Sequence, residues 1–478
     1  MQRIILGRSW RALWRPCPCG SSRQILLFSS ESQPLLPAVS LVNSNNQTRT
    51  AFGRRHLLPL LSDTTIPPHV ATIVEEYAAK DQTSASLQML MRTGRGELLG
   101  NAYKREEAKL GQRLATEPIL LQTARFLQHE IPIRLAHRIV DLANVPMMRD
   151  MPSVQTVKEI YIDSFLEMLD YPQIHTPDDQ ADFADGLESL YAKHANVLVQ
   201  MAKGAFQLRK AVRSGQVKGS RNNEDNDDDR HHVSFECMEE CHKFLDRFYT
   251  SRIGIRVLAG QYLALHSNHA SSGSSLSDDT PNKHDDKYIG MICLKTSPSA
   301  IVRRAASDAT TMCLRKYGIA PRVVVQGRLD LTFPYIPTYL HYILLELLKN
   351  ALRATTEHHA SLAGPLPSVT VVIADGDDNE DVVIKIMDEG GGIPRSRIEK
   401  VWSYLYTTAD PSIQEGFIGE NDHSSASPIA GLGYGLPISR SYVRYFGGDM
   451  DLMSMEGYGT DAFLYLKRIG DSKEPLPV

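Results

Sequence analysis

Cysteine is scarce in this chain, with six in 478 residues, too few and too scattered for a disulfide framework. Cys17 and Cys19 lie near the N-terminus. Cys237 and Cys241, followed by His242, stand at helical spacing and read as thiols of a helical core rather than metal ligands. This usage points to a reducing compartment. No apolar run is long enough to span a bilayer. A basic excess is missing as well: the net charge is −4 and the pI about 6.5, which leaves no electrostatic footprint for nucleic acid. The first 30 residues lack acid altogether, and there the absence is informative. Arg3, Arg8, Arg11, Arg15 and Arg23 alternate with Ile4, Ile5, Trp10, Leu13 and Trp14, and serines gather at 21–22 and 29–30. A basic, amphipathic, acid-poor leader is the composition of a mitochondrial transit peptide. Residues 1–65 are therefore expected to be a transit peptide and linker, and the working compartment the mitochondrial matrix.

The length allows two or three domains. From 66 to 266 the apolar spacing is helical almost throughout, with single helices expected over 178–213 and 235–266 and Ser153 as an N-cap. Long helices with short connections make a bundle. Residues 214–232 hold the acidic run from Asn222 to Asp229, and 267–287 are rich in Ser, Asp and Asn. Neither stretch carries enough apolar area to offset ordering entropy, so an insertion and a linker without fixed structure are expected. From 288 to 470 strands are expected over 322–325, 369–374, 382–387 and 460–467. Helices are expected over 299–317, 339–356, 395–404 and 436–446. Such mixing predicts an α/β sandwich with helices on one face of a mixed sheet. The whole is thus an α+β chain, with a helical bundle of the four-helix type first, the sandwich second, and residues 471–478 as a tail.

One helix organises the second domain. Tyr339 to Thr355 is apolar at helical spacing, yet it carries Glu346 and Asn350 one turn apart on one face. Burying a carboxylate and a carboxamide there is costly without partners. A neutral amide oxygen suits a Mg2+ already held by nucleotide phosphates, and Glu346 sets a base one turn away. Three glycine motifs follow in order: Asp388-Glu389-Gly390-Gly391-Gly392, then Gly431-Leu432-Gly433-Tyr434-Gly435-Leu436, then Gly457-Tyr458-Gly459-Thr460. Each alone is weak evidence, but four motifs in sequence are strong.

This order resembles the nucleotide-binding domain of DNA gyrase, MutL, the ninety-kilodalton heat-shock chaperone, bacterial histidine kinases and the mitochondrial 2-oxoacid dehydrogenase kinases. The resemblance implies an ATP site. Asp388 at a strand end can accept the adenine amino group, and Gly390 and Gly392 let backbone approach the base. Gly431, Gly433 and Gly435 lead into a helix starting near Leu436, a cradle for phosphate. The long segment 408–430 lies between these motifs and reads as a lid. Thr407, Thr408 and Thr460 can bond to phosphate or to water on the base, and Lys349 and Arg353 can balance phosphate charge. Asn350 would hold Mg2+ and Glu346 would orient or deprotonate the attacking hydroxyl. The same geometry serves water as well as an alcohol.

Three further stretches narrow the resemblance: Ile131-Pro132-Ile133-Arg134-Leu135-Ala136-His137-Arg138, Phe244 through Arg256, and Leu436-Pro437-Ile438-Ser439-Arg440. All are similar to the mitochondrial 2-oxoacid dehydrogenase kinases, over a likeness running from near Leu87 to Leu466. The resemblance implies a protein serine kinase acting on the α subunit of a decarboxylase component. It implies docking on the lipoyl domain of the acyltransferase core, and a homodimer. Residues 263–266, 316–323 and Tyr342 look branched-chain-like, whereas 404–408 and 447–460 look mixed or pyruvate-like. The chain ends soon after its final strand, without a long C-terminal arm, so the expectation leans to the branched-chain complex, with a pyruvate dehydrogenase kinase as the alternative. A histidine kinase or an ATPase clamp is a more distant alternative. His194 aligns with a family histidine, but Asn196 replaces the family's usual Asp, so a plain helix histidine is expected.

Overall fold

A computed structural model describes residues 66–97, 116–214, 235, 238–273, 287–360, 364–376, 381–408, 433–468 and 470–476. The expected transit peptide, the acidic run at 222–229 and nearly all of the expected lid lie outside the described residues. The first domain is built from α1 (Pro68–Ala78), α2 (Leu87–Gly94), α3 (Thr116–Asn144), α4 (Pro152–Asp170), α5 (Pro177–Lys193), α6 (Val197–Arg213) and α7 (Glu239–Gly273). Pro132 sits inside α3 and forgoes one backbone donor. Complete burial of Ile131, Ile133 and Leu135 holds the helix through that turn.

Three expected features of this domain need correction. The single helix over 178–213 is broken at His194–Asn196. Arg252 of α7 donates from Nη2 to the carbonyls of His194 and Ala195, at 3.1 and 3.4 Å. It thereby satisfies acceptors that a continuous helix would have used itself. Ser153 is not a cap. Met151 occupies that position, Pro152 starts α4 with its φ already helical, and the Ser153 amide donates to Gln207 Oε1 at 3.2 Å. Helix α7 runs to Gly273, beyond the expected end at 266.

The second domain contains β1 (Tyr288–Ile289), β2 (Ile292–Thr296), α8 (Pro298–Tyr317), β3 (Val323–Gly327), β4 (Phe333–Tyr335), α9 (Pro337–His358), β5 (Val369–Asp375), β6 (Asp381–Asp388), α10 (Gly435–Tyr445), β7 (Asp449–Met455) and β8 (Gly459–Lys467). The main sheet has the order β3-β5-β6-β8-β7, parallel only between β3 and β5. Strands β1, β2 and β4 form a small separate sheet. Alternate residues such as Val371, Ile373, Ile384, Leu464 and Leu466 are buried with Leu344, Leu348 and Leu352 of α9 in one core. The sandwich expected from the strand–helix alternation is the fold observed. The helix expected over 395–404 is instead two 3-10 turns, Arg395–Arg397 and Lys400–Trp402. Arg395, Ser396, Arg397, Glu399 and Lys400 are exposed, so the stretch has little apolar face with which to stabilise a short helix.

The segment expected as a tail is packed. Lys473 bridges to Ser86, and the Glu474 amide donates to Ala85 O at 2.8 Å. The Glu474 carboxylate accepts from Arg134 Nη1 at 3.1 Å, from Arg134 Nη2 at 2.5 Å and from the Tyr445 hydroxyl at 2.7 Å. Arg134, 1% exposed, also donates from Nε to Glu130 at 2.8 Å. Gly254 of α7 leaves room for this cluster, since a Cβ there would lie 2.6 Å from Arg134 Nη1. Removing one partner strands a buried charge. Glu474→Ala is therefore expected to cost about 3–5 kcal/mol of stability, read as a lower urea midpoint with an unchanged slope. A midpoint within error of wild type would contradict this.

Candidate active site

Helix α9 turns its buried leucines to the sheet and its polar row to a cavity. Glu346, Lys349, Asn350 and Arg353 are three to four apart, so they line that side together. Glu346 is 6% exposed and meets Lys349 Nζ at 2.6 Å through Oε1. A carboxylate this enclosed needs such a partner to offset its lost hydration. Its other oxygen faces the start of α10: a Cβ built on Gly435 would lie 2.5 Å from Glu346 Oε2. Glycine at 435 thus lets a helix N-terminus close upon the acid. The first-turn amides of α10 lack helical partners and carry the positive end of the helix dipole, so this wall attracts anions.

At the far end, Asp388 terminates β6. Its Oδ1 accepts from the amides of Gly390 at 2.9 Å and Thr460 at 3.3 Å. Burial pushes the carboxyl up to about 6 in spite of those amides. Gly390 presses against Ala354 of α9, and Gly392, at φ +70°, lies against the Met455 carbonyl, so neither position has room for a side chain. Thr408 Oγ1 accepts from Arg353 Nη2 at 3.1 Å and ties the segment after Tyr404 to α9.

The cavity measures about 750 Å³, within the range of small-molecule sites. Glu346, Asn350, Arg353, Asp388, Gly390, Gly392, Thr407, Thr408, Gly433, Gly435, Leu436 and Thr460 all line it. Gly431 lies outside the described residues. Sequence reasoning missed the apolar floor of Ile386, Leu452 and Ala462, and the α8 wall of Met312 and Cys313. Strand alternation does put Ile386 and Ala462 on the helix-facing side. Leu452 gave no signal, because β7 itself was not read. His194 is 3% exposed inside the bundle, with Nε2 3.0 Å from Ser164 Oγ. Burial lowers its pKa to about 3, leaving it neutral. Among the described residues no group of three His, Cys, Asp or Glu is placed to hold a metal, and Cys241 is a buried free thiol.

A carboxylate beside a carboxamide, an acid at a strand end and a glycine-lined helix start define an ATP-binding domain of the histidine kinase, gyrase and chaperone type. Residues 336–469 match the family model for histidine kinase-, DNA gyrase B-, and HSP90-like ATPases. Residues 105–293 match the model for mitochondrial branched-chain alpha-ketoacid dehydrogenase kinase. The mitochondrial pyruvate dehydrogenase (acetyl-transferring) kinase of Arabidopsis thaliana is 39% identical over 413 residues, covering 86% of this chain and 97% of the relative. The Schizosaccharomyces pombe kinase of the same name is 33% identical, covering 76% and 92%. The human isozyme 4 is 34% identical, covering 74% and 78%. The chain belongs to the mitochondrial 2-oxoacid dehydrogenase kinases, a family of ATP-dependent protein kinases.

The raised Asp388 pKa carries a stability cost. The folded state binds this proton more tightly than the unfolded state. Stability from Asp388 is therefore full below about pH 4 and is lost as pH rises through about 6. Asp388→Asn keeps an acceptor for both amides and removes the charge. At pH 7.5 the nucleotide-free variant is expected to gain up to about 3 kcal/mol while its ADP affinity falls. Calorimetric melting and ADP titration check both, and an unchanged ADP affinity would remove Asp388 from the site.

Proposed function

We propose that this chain is a mitochondrial protein serine kinase of the pyruvate dehydrogenase complex. It would transfer the γ-phosphoryl group of ATP to a serine on the α subunit of the decarboxylase component and so switch the complex off. The observation that carries the reading is the enclosed Glu346 carboxylate, paired with Lys349, at the start of α10 and one turn from Asn350. In this reading Asp388 accepts the adenine amino group and the glycines admit the base. The α10 N-terminus and Arg353 hold the phosphates, with Thr407, Thr408 and Thr460 completing their surroundings. Glu346 orients the serine hydroxyl and takes its proton as the phosphoryl group moves. Asn350 offers one neutral oxygen, which fits a Mg2+ shared with the phosphates rather than caged by protein. Bound there, the ion would neutralise charge developing on the phosphate oxygens. The family resemblance further supports a homodimer docked on the lipoyl domain of the acyltransferase core.

The lean toward the branched-chain complex drawn from residues 263–266, 316–323 and Tyr342 is set aside. The relatives that cover most of this chain are named pyruvate dehydrogenase kinases. The branched-chain name belongs to the model matched over 105–293 alone. Incubation with radiolabelled ATP, Mg2+ and each purified complex is expected to label serine on the pyruvate complex. Preferential labelling of the branched-chain complex would move the assignment to that target, and no labelled serine on either would refute the kinase reading. Glu346→Ala is expected to keep ADP binding and lose roughly 10²–10⁴-fold in transfer. Asn350→Ala is expected to abolish Mg2+-dependent phosphorylation. Full transfer by either variant would sink the mechanism.

A further inference from the structure

Four side chains from the sheet domain, Ile438 of α10 and three from the loops before it, are buried in the core of the helical bundle. Tyr404, Leu405 and Tyr434 are all 2% exposed or less, and they pack in the hydrophobic core of the helical bundle. Their immediate neighbours line the nucleotide cavity: Tyr406, Thr407 and Thr408 on one loop, Gly433 and Gly435 on the other. Each loop is thus rooted in one domain and opens its tip into the site of the other.

The roots are held by specific contacts. The Tyr404 hydroxyl donates to Asp246 Oδ1 of α7 at 2.7 Å. Its ring lies 5.4 Å from that of Tyr249, 6.1 Å from the stacked ring of His242 and 5.3 Å from that of Tyr434. Arg209 of α6 donates from Nη1 to the Leu405 carbonyl at 3.3 Å. Leu405 itself has φ +65°, a left-handed conformation that a branched residue takes only when its surroundings demand it. Gly433, at φ +82°, fits so closely over the Leu405 and Tyr406 carbonyls that a Cβ would collide with them. The two loops are therefore packed directly against each other.

We propose that Arg209, Asp246 and Tyr404 are positioning residues for ATP, through which the helical bundle fixes the two loops that close one side of the nucleotide cavity. The proposal rests on reading that cavity as the ATP site. Loosening the root displaces Thr407, Thr408 and the amides at 433–435. It leaves Glu346 and Asn350 where they are, because both belong to α9 and are held by its packing on the sheet. The defect is then one of nucleotide binding rather than of transfer.

The test uses the full chain with its dehydrogenase complex as substrate. Tyr404→Phe removes one hydroxyl and keeps the ring in place. It is expected to raise the KM for ATP and the Kd for ADP about tenfold, the scale of one hydrogen bond to a charged group, with kcat within about twofold. Asp246→Ala should match it, the double variant should be no worse than either single one, and Asp246→Asn, which retains an acceptor oxygen, should restore wild-type KM. ADP with Mg2+ should slow amide exchange over 242–249 in wild type, and less so in Tyr404→Phe. Unchanged KM for ATP in both Tyr404→Phe and Asp246→Ala, even with lowered stability, would overturn the proposal. So would an equal fall in kcat with no change in KM. If Asp388→Asn and Asn350→Ala also left ADP binding untouched, the ATP-site reading would fall first and take this proposal with it.

Discussion

A carboxylate buried on an apolar helix is the constraint around which this molecule is arranged. Glu346 sits among the leucines of α9 and cannot be hydrated as it would be in water. Lys349, one turn on, supplies the opposite charge. Gly435 supplies the space that lets α10 begin against it. Because α10 must start there, its first-turn amides face the cavity, and Gly433 and Gly435 have no room for a side chain. The phosphate-binding chemistry proposed for this wall is thus a consequence of how one acid is accommodated.

The two domains are joined by contacts of different character. At one place the C-terminal segment lays Glu474 into a buried cluster with Arg134, Glu130 and Tyr445. That junction is ionic and depends on every partner being present. At the other, aromatic rings from the two loops beside the cavity sit in the bundle core around Tyr249 and His242. This one is mainly apolar, with single hydrogen bonds setting its register. The bundle is therefore more than a neighbour of the ATP domain, because part of the cavity wall is anchored in its interior.

Much of this could be read from the chain alone. The α9 face was plain, since polar residues at 346 and 350 interrupt an otherwise apolar helix. The glycine motifs were legible because their order, rather than any single one, carries the information. Other features were not. Strand β7 exposes Asp449, Asp451, Met453 and Met455 and has little strand propensity of its own; its pairing with β8 makes it a strand. The break between α5 and α6 depends on Arg252, a residue nearly sixty positions away, and local periodicity is blind to it. The branched-chain lean came from short stretches, whereas the relatives that match over most of the chain are named pyruvate dehydrogenase kinases.

The sequence by itself determined the class: a helical domain, and an ATP domain whose acid, amide and glycines are set by spacing along single elements. Such spacing survives as geometry because helices and strands have fixed periods. Tertiary structure alone decided which core Tyr404, Leu405 and Tyr434 would enter, that Glu474 would reach Arg134 across 340 positions, and that Gly435 would meet Glu346. Those contacts join residues far apart in the chain. They are selected by how the two domains pack, where burial and charge must be satisfied together, and no local pattern encodes that.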